Sequence, residues 1–181
     1  LHAHQMQQIE EVVDSVLEHP IAELISMGFC EQELHWIDTP TLFECKCKPD
    51  FFLTGGPAIE CYDLKFGEEI SPDKWARNAK RMKYWLQHIH YSRRLEELYN
   101  KPVTFKFVAV ETKVPYRIAT YEYDPISLDI ARTAYEQIMT NMKRCYETGD
   151  WRDPWVAELN YLELSPWEVQ TAEVELGGFD E

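Results

Sequence analysis

The chain has 181 residues, 45% hydrophobic and 13% aromatic, enough apolar side chain to bury a core and too much for a disordered segment. Its net charge of −14 excludes a protein that coats nucleic acid through overall basicity. No apolar run reaches the ~20 residues that span a bilayer. The N-terminal LHAHQMQQIEE lacks the basic and apolar regions of a signal peptide, so a cytoplasmic protein is expected.

Residues 5–18 place Met6, Ile9, Val13, Val16 and Leu17 at helical spacing. His19-Pro20 interrupts, because proline disfavours helix in the residue before it, and IAELISM resumes a short helix that Gly28 ends. ELHWID, TLFECKCK and AIECYDLK then read as strands, with alternation clearest in Phe43, Cys45 and Cys47. The stretch 72–98 predicts one long helix with Trp75, Ala79, Met82, Leu86 and Ile89 as its apolar stripe. TFKFVAVE and YRIATYEY read as two more strands. A last helix over 125–148 starts from the cap residue Asp124 with Pro125 in its first turn, and Gly149 lies just past its end. An acidic tail follows. This order predicts a single domain over 1–181 of the α/β (α+β) class, with a mixed central β-sheet flanked by helices.

Five cysteines, including a C-x-C at Cys45 and Cys47, match neither paired-framework nor zinc spacing, and read as reduced, small buried hydrophobes. Charge is unevenly spread. From Lys74 to Arg94 there are seven basic residues and no acid, whereas Glu158 to Glu181 holds seven acids and no base. An acid-free segment in an acidic chain suggests a phosphate-facing element. Trp151, Trp155 and Trp167 are expected to bury against the core. His88 and His90 fall on different helix faces and cannot chelate one ion together, and His19 is expected to be structural.

The chemistry concentrates in CKCKPDFFLTGGPAIECYDLKF, residues 45–66. Residues two apart in a strand share a face, so Asp63 and Lys65 project together above Cys61. If the preceding strand folds back across TGGP, Asp50 reaches the same patch. Two converging carboxylates need a cation, and a hard ion such as Mg²⁺ takes oxygen ligands while leaving room for water and phosphate. A lysine beside them can steady a phosphate or assist the attacking water. Glu111-Thr112-Lys113 offers the same acid–lysine spacing, and local pattern does not separate the two. At 100° per residue Lys80, Tyr84, Gln87 and Tyr91 share one face of the 72–98 helix, away from its apolar stripe.

"PD…DLK" on a hairpin, followed by a basic helix carrying Gln87-x-x-x-Tyr91, resembles the PD-(D/E)xK nuclease superfamily, and within it the RecB-like exonucleases. GFCEQELHWIDTPTLFECKCKPD with YDLK is similar to the nuclease domain of RecE-type exodeoxyribonuclease VIII over roughly residues 20–110, and more distantly to phage λ-type exonucleases. The resemblance selects Asp63/Lys65 over Glu111/Lys113. It implies a restriction-endonuclease-like core in which Asp50, Asp63 and the Leu64 carbonyl hold the metal, Lys65 is catalytic, and Gln87 with Tyr91 orients DNA or the metal site. Glu31 sits where relatives carry a further acid. Such nucleases carry a histidine in a G-x-x-x-H segment upstream; that segment is lacking here, and His2 competes with His4 to stand in for it.

The implied activity is a Mg²⁺-dependent deoxyribonuclease, with Mn²⁺ able to substitute. It degrades linear duplex DNA from its ends, in recombination or phage DNA processing within a bacterial or phage-infected cell. Lys74, Arg77, Lys80, Arg81 and Tyr84 are the expected DNA contacts. A ring-like trimer or tetramer and a single-strand annealing partner follow from the resemblance alone. Two alternatives stand beside this reading: an endonuclease or single-strand-specific nuclease of the same fold, and a non-catalytic acidic DNA mimic.

Overall fold

A computed structural model gives the structure of the chain and describes residues 3–152. The chain divides into two units, Leu1–Lys143 and Arg144–Glu181. In the second, the described residues are the end of the last helix, where Gly149 adopts φ 70° and donates its N–H to the Cys145 carbonyl (2.9 Å), and an exposed Arg152–Asp150 pair. His2, Trp155 and Trp167 lie outside the described residues.

The first unit opens with helices α1 (Ala3–Glu18) and α2 (Ile21–Met27). Five short or medium strands follow: β1 (Phe29–Cys30), β2 (Leu34–Ile37), β3 (Glu44–Cys47), β4 (Phe51–Leu53) and β5 (Ile59–Gly67). Helices α3 (Pro72–Met82) and α4 (Tyr84–Tyr99) cross to β6 (Val103–Glu111), β7 (Ile118–Tyr121) and α5 (Pro125–Thr148). The main sheet has the order β1-β4-β5-β6-β7, parallel between β5 and β6 and antiparallel elsewhere. It is the mixed sheet the sequence predicts.

Strand alternation sends side chains of β5 and β6 into two layers. Ile59, Cys61, Phe105 and Phe107 pack under Trp75 of α3 and Leu95 of α4. Tyr62, Val108 and Val110 pack on Val12 of α1 and Ile21 of α2. Asp63 and Lys65 therefore belong, with Cys61, to the α3/α4 side. A third cluster joins Ile89 on α4 to Ala131, Tyr135 and Met139 on α5. The α5 cap forms as predicted, with Asp124 Oδ1 accepting the Ser127 N–H at 3.0 Å.

Three local expectations change. The run 41–48 does not continue into the hairpin. β3 pairs with β2 in a separate two-stranded sheet, and Pro49, with no N–H to give a ladder, divides it from β4. It is the three-residue β4 that folds back on β5, pairing Phe51 with Tyr62 and Leu53 with Glu60. The 72–98 helix is also two helices, broken at Lys83, which adopts φ 53° and ψ 43°. The break has a packing cause. α3 buries Trp75 and Ala79, while α4 buries His88, Ile89, Ser92 and Leu95. On one straight helix those faces would point about 130° apart at 100° per residue, so the elbow brings both onto the molecule. Finally, only Cys47 and Cys61 are buried; Cys30 is exposed on the edge strand β1.

Candidate active site

The site forms where β4 stops short of β5. Pairing between the two ends at Phe51–Tyr62, so the Leu64 N–H has no strand partner on that side. Asp50, the residue before β4, fills the gap: its Oδ2 accepts the Leu64 N–H at 2.5 Å. A residue in an extended strand sends its N–H and C=O to the same side, so the Leu64 carbonyl also faces Asp50 past the end of β4. Asp50 is itself tied down, its carbonyl accepting the Glu31 N–H at 2.9 Å.

Asp63 is 3% exposed. Its Oδ1 accepts a hydrogen bond from Gln87 Nε2 on α4, and its Oδ2 is ion-paired with Lys65 Nζ. That Oδ2 makes no hydrogen bond of good geometry despite its burial. Burial pushes the Asp63 carboxyl above its usual range, against the opposing pull of Lys65 and Gln87. Burial likewise raises Asp50, and the negative charge on Asp63 raises it further. The two carboxylates thus share one electrostatic environment. Tyr91, one turn beyond Gln87, places its hydroxyl by Gln87 and the Lys48 backbone, and burial raises its pKa.

Lys65 is held from below. Its ammonium lies 5.1 Å from the centroid of Tyr84, whose ring stacks on Phe107 at 5.4 Å and leans on Trp75 at 5.7 Å. Tyr84 is half-buried in this cluster rather than free on the surface. Lys74, Arg77, Lys80 and Arg81 are exposed along α3. Lys83, at the break, is exposed as well, whereas the last two arginines of the acid-free segment are used within the fold: Arg93 pairs with buried Asp38 at 3.6 Å, and Arg94 lies 5.7 Å from the Trp36 ring centroid.

Glu31 is close enough for its charge to raise Asp50, and it pairs with Lys48. Sequence reasoning passes over Lys48, although its place immediately before Pro49-Asp50 is the signal that it borders the site. The competing triplet is separated by geometry. Glu111 is buried and held by Arg117 through two bonds of 2.8 and 2.7 Å, while Lys113 turns away to Glu68 at 2.7 Å. That acid and that lysine serve different partners.

The donor set fits a divalent cation. A buried carboxylate oxygen lacks a hydrogen bond, a second carboxylate adjoins it, and a strand carbonyl faces the same gap. Among the described residues no group of three or more His, Cys, Asp or Glu side chains could hold a metal. A cation held in this gap would take two carboxylates and a carbonyl from the protein.

A mixed sheet carrying this Asp…Asp-x-Lys arrangement, with a glutamine reaching in from the crossover helix, defines the PD-(D/E)xK class of fold. The chain belongs to the family described as PDDEXK-like domain of unknown function (DUF3799), whose model matches residues 1–160. The fold is also similar to a crystal structure of a "Putative exonuclease" from Eubacterium rectale, with TM-score 0.64 and 14% sequence identity over 90% of this chain. The chain spans 64% of that protein's length. No curated protein matches it in sequence. Among the described residues no helix is long and apolar enough to cross a membrane.

Proposed function

We propose that this protein is a Mg²⁺-dependent deoxyribonuclease, with Mn²⁺ able to substitute, that hydrolyses linear duplex DNA from its ends. The observation that carries this is the convergence of Asp50, Asp63, Lys65 and Gln87 from three separate elements on one gap in the sheet. The name given to the Eubacterium rectale neighbour supports an end-directed mode. The reading extends to work in bacterial or phage recombination, in the cytoplasm, as a ring-like trimer or tetramer beside a single-strand annealing protein.

The residues divide the work by position. Asp50, Asp63 and the Leu64 carbonyl would hold the cation, which supplies positive charge to the phosphate and lowers the pKa of bound water. Gln87 fixes the Asp63 carboxylate by bonding one of its oxygens, leaving the other for the cation. Lys65 can release Asp63 once that charge is neutralised and donate to a non-bridging phosphate oxygen, with Tyr84 keeping the ammonium over the gap. Tyr91 closes the same wall. Lys74, Arg77, Lys80 and Arg81 would take backbone phosphates without reading sequence.

The test is digestion of a 5′-phosphorylated linear duplex in Mg²⁺, beside a closed circle and a Lys65→Ala variant. Loss of the linear form alone, abolished by the substitution, supports the proposal. Cutting of the circle converts it to an endonuclease. A folded chain that binds the cation and cuts nothing sinks it.

A further inference from the structure

Two helix faces of this chain are apolar and uncovered, and they lie on opposite sides of the sheet. On α1, Met6, Ile9, Val13 and Leu17 are exposed. They fall within about 80° of one another at 100° per residue, beside Val12 and Val16, which pack on the core. Exposed Phe66, at the end of β5, extends this face, and a groove of about 460 Å³ runs between it and Ile9 and Val13. On α5, Ile126 and Ile130 are 74% and 67% exposed, and Ala134, Ile138 and Met142 continue the row at steps of four. Between α5 and α3 lies a cavity of about 610 Å³, lined by Ile130, Ala131 and Ala134 on α5 and by Ala76 and Ala79 on α3. The alanines leave room there for side chains from outside, which would recover the contacts an empty groove forfeits. Contiguous exposed apolar surface of this kind marks a contact with another molecule.

Charge and length point to which molecule. The exposed flank of the α1 row is acidic, with Glu10, Asp14 and Glu18 on successive turns, and none of the three makes an ion pair among the described residues. The other flank of the row runs into the chain's own core. The groove between α3 and α5 is also one-sided: exposed Lys80, again without an ion pair among the described residues, borders it on α3, and Glu122 borders it beside β7. An α1 helix laid there with its acids toward Lys80 meets an unpaired cation and turns its neutral side to Glu122, whereas the reverse direction sets acid against acid. The rows match in length, about 16 Å from Met6 to Leu17 and about 18 Å from Ile126 to Ile138 at 1.5 Å per residue.

We infer that the groove between α3 and α5 receives the α1 face of a second copy of this chain. Within one chain α1 packs on the layer of the sheet opposite α3, so a chain does not fill its own groove. The surface given and the surface received are different patches. The contact is therefore heterologous, each copy giving α1 to one neighbour and taking α1 from another, and its repetition builds a ring where the rotation closes. Lys74, Arg77 and Arg81 fall on the far side of α3, so this contact leaves them for DNA and takes only Lys80 from the phosphate row. The inference rests on the ring-like reading and assigns its interface.

The test is sedimentation velocity on the native chain, Val13→Arg and Ile130→Arg. Both positions are exposed, so arginine does not enter the core. Thermal unfolding confirms that each variant folds, and Met6→Arg and Ile126→Arg replace on the same faces any that does not. At tens of micromolar the native chain should sediment as a trimer or tetramer and each variant as a monomer. An equimolar mixture of the two variants keeps one intact pairing, α1 of the Ile130→Arg chain in the groove of the Val13→Arg chain. It should give a dimer that grows no further. An assembly that survives either substitution, or a mixture that stays monomeric, overturns the inference and leaves the ring-like reading standing on other surfaces. A monomeric native chain overturns both, and digestion of linear DNA reports on the nuclease reading separately.

Discussion

Lys65→Ala is the natural test of catalysis, and the structure says it will also cost stability. Lys65 compensates a carboxylate that is only 3% exposed, while its own side chain is 22% exposed. Removing one partner of a buried pair leaves an uncompensated charge, at a cost of about 3–5 kcal/mol. Because the lysine is partly solvated and Gln87 still donates to Asp63, the lower end, about 3 kcal/mol, applies. For a chain of this size that lowers Tm by roughly 6–12 °C. The sign can be checked through protonation. Lys65 is the largest influence holding the Asp63 pKa down against burial, so its loss raises that pKa further. The penalty should therefore shrink as pH falls and Asp63 takes up a proton. An Asp63→Asn/Lys65→Met double variant, which removes both charges, should regain most of the lost Tm and stay inactive. Thermal unfolding in EDTA at pH 7 and pH 5 measures each case. A Lys65→Ala variant within 0.5 °C of the native chain at pH 7 would refute the reasoning, because the pair would then not be compensating a buried charge.

Three further outcomes follow from the same geometry. Saturating Mg²⁺ at about a hundred times its Kd should stabilise the native chain by about 2.7 kcal/mol; Asp50→Asn, which keeps an acceptor for the Leu64 N–H, should abolish the shift in a thermal titration. His88 is 3% exposed, and burial lowers its pKa from 6.5 to about 4. Between those values the unfolded chain binds the proton first, so stability falls by about 3 kcal/mol as pH drops from 6.5 to 4. His88→Phe, which keeps the stack on Phe105, should lose less stability than the native chain over that window in urea titrations; an identical loss would mean the histidine is not its source. Lys113→Ala should leave Mg²⁺-dependent digestion at the native rate, since Lys113 pairs with exposed Glu68; a loss comparable to that of Lys65→Ala would move the site to Glu111.

The pairs that form the candidate site are legible because their spacings are local. Asp63 and Lys65 share a strand face by alternation, and Gln87 and Tyr91 share a helix face by one turn, so any fold that keeps those elements keeps the pairs. TGGP marks the chain reversal, but the strand that folds back across it is β4, which Pro49 separates from the 41–48 run. What stayed hidden is non-local. β1 and β4 are too short for periodicity to register. The elbow at Lys83 has neither glycine nor proline to announce it, because two mismatched burial faces impose it from outside. Tyr84 reads as a surface residue in a helical wheel drawn straight through that elbow, and becomes the support under Lys65 only once the helix turns.

The left-handed residue at Lys83 separates two registers that a continuous helix would have locked together. A residue inserted early in α3 rotates the residues before it by about 100° relative to those that follow, yet leaves Gln87 and Tyr91 where α4 anchors them. The same insertion within α4, ahead of Gln87, swings the amide away from Asp63. A change of register is therefore tolerable early in α3 and not in α4, whose Gln87 bonds Asp63.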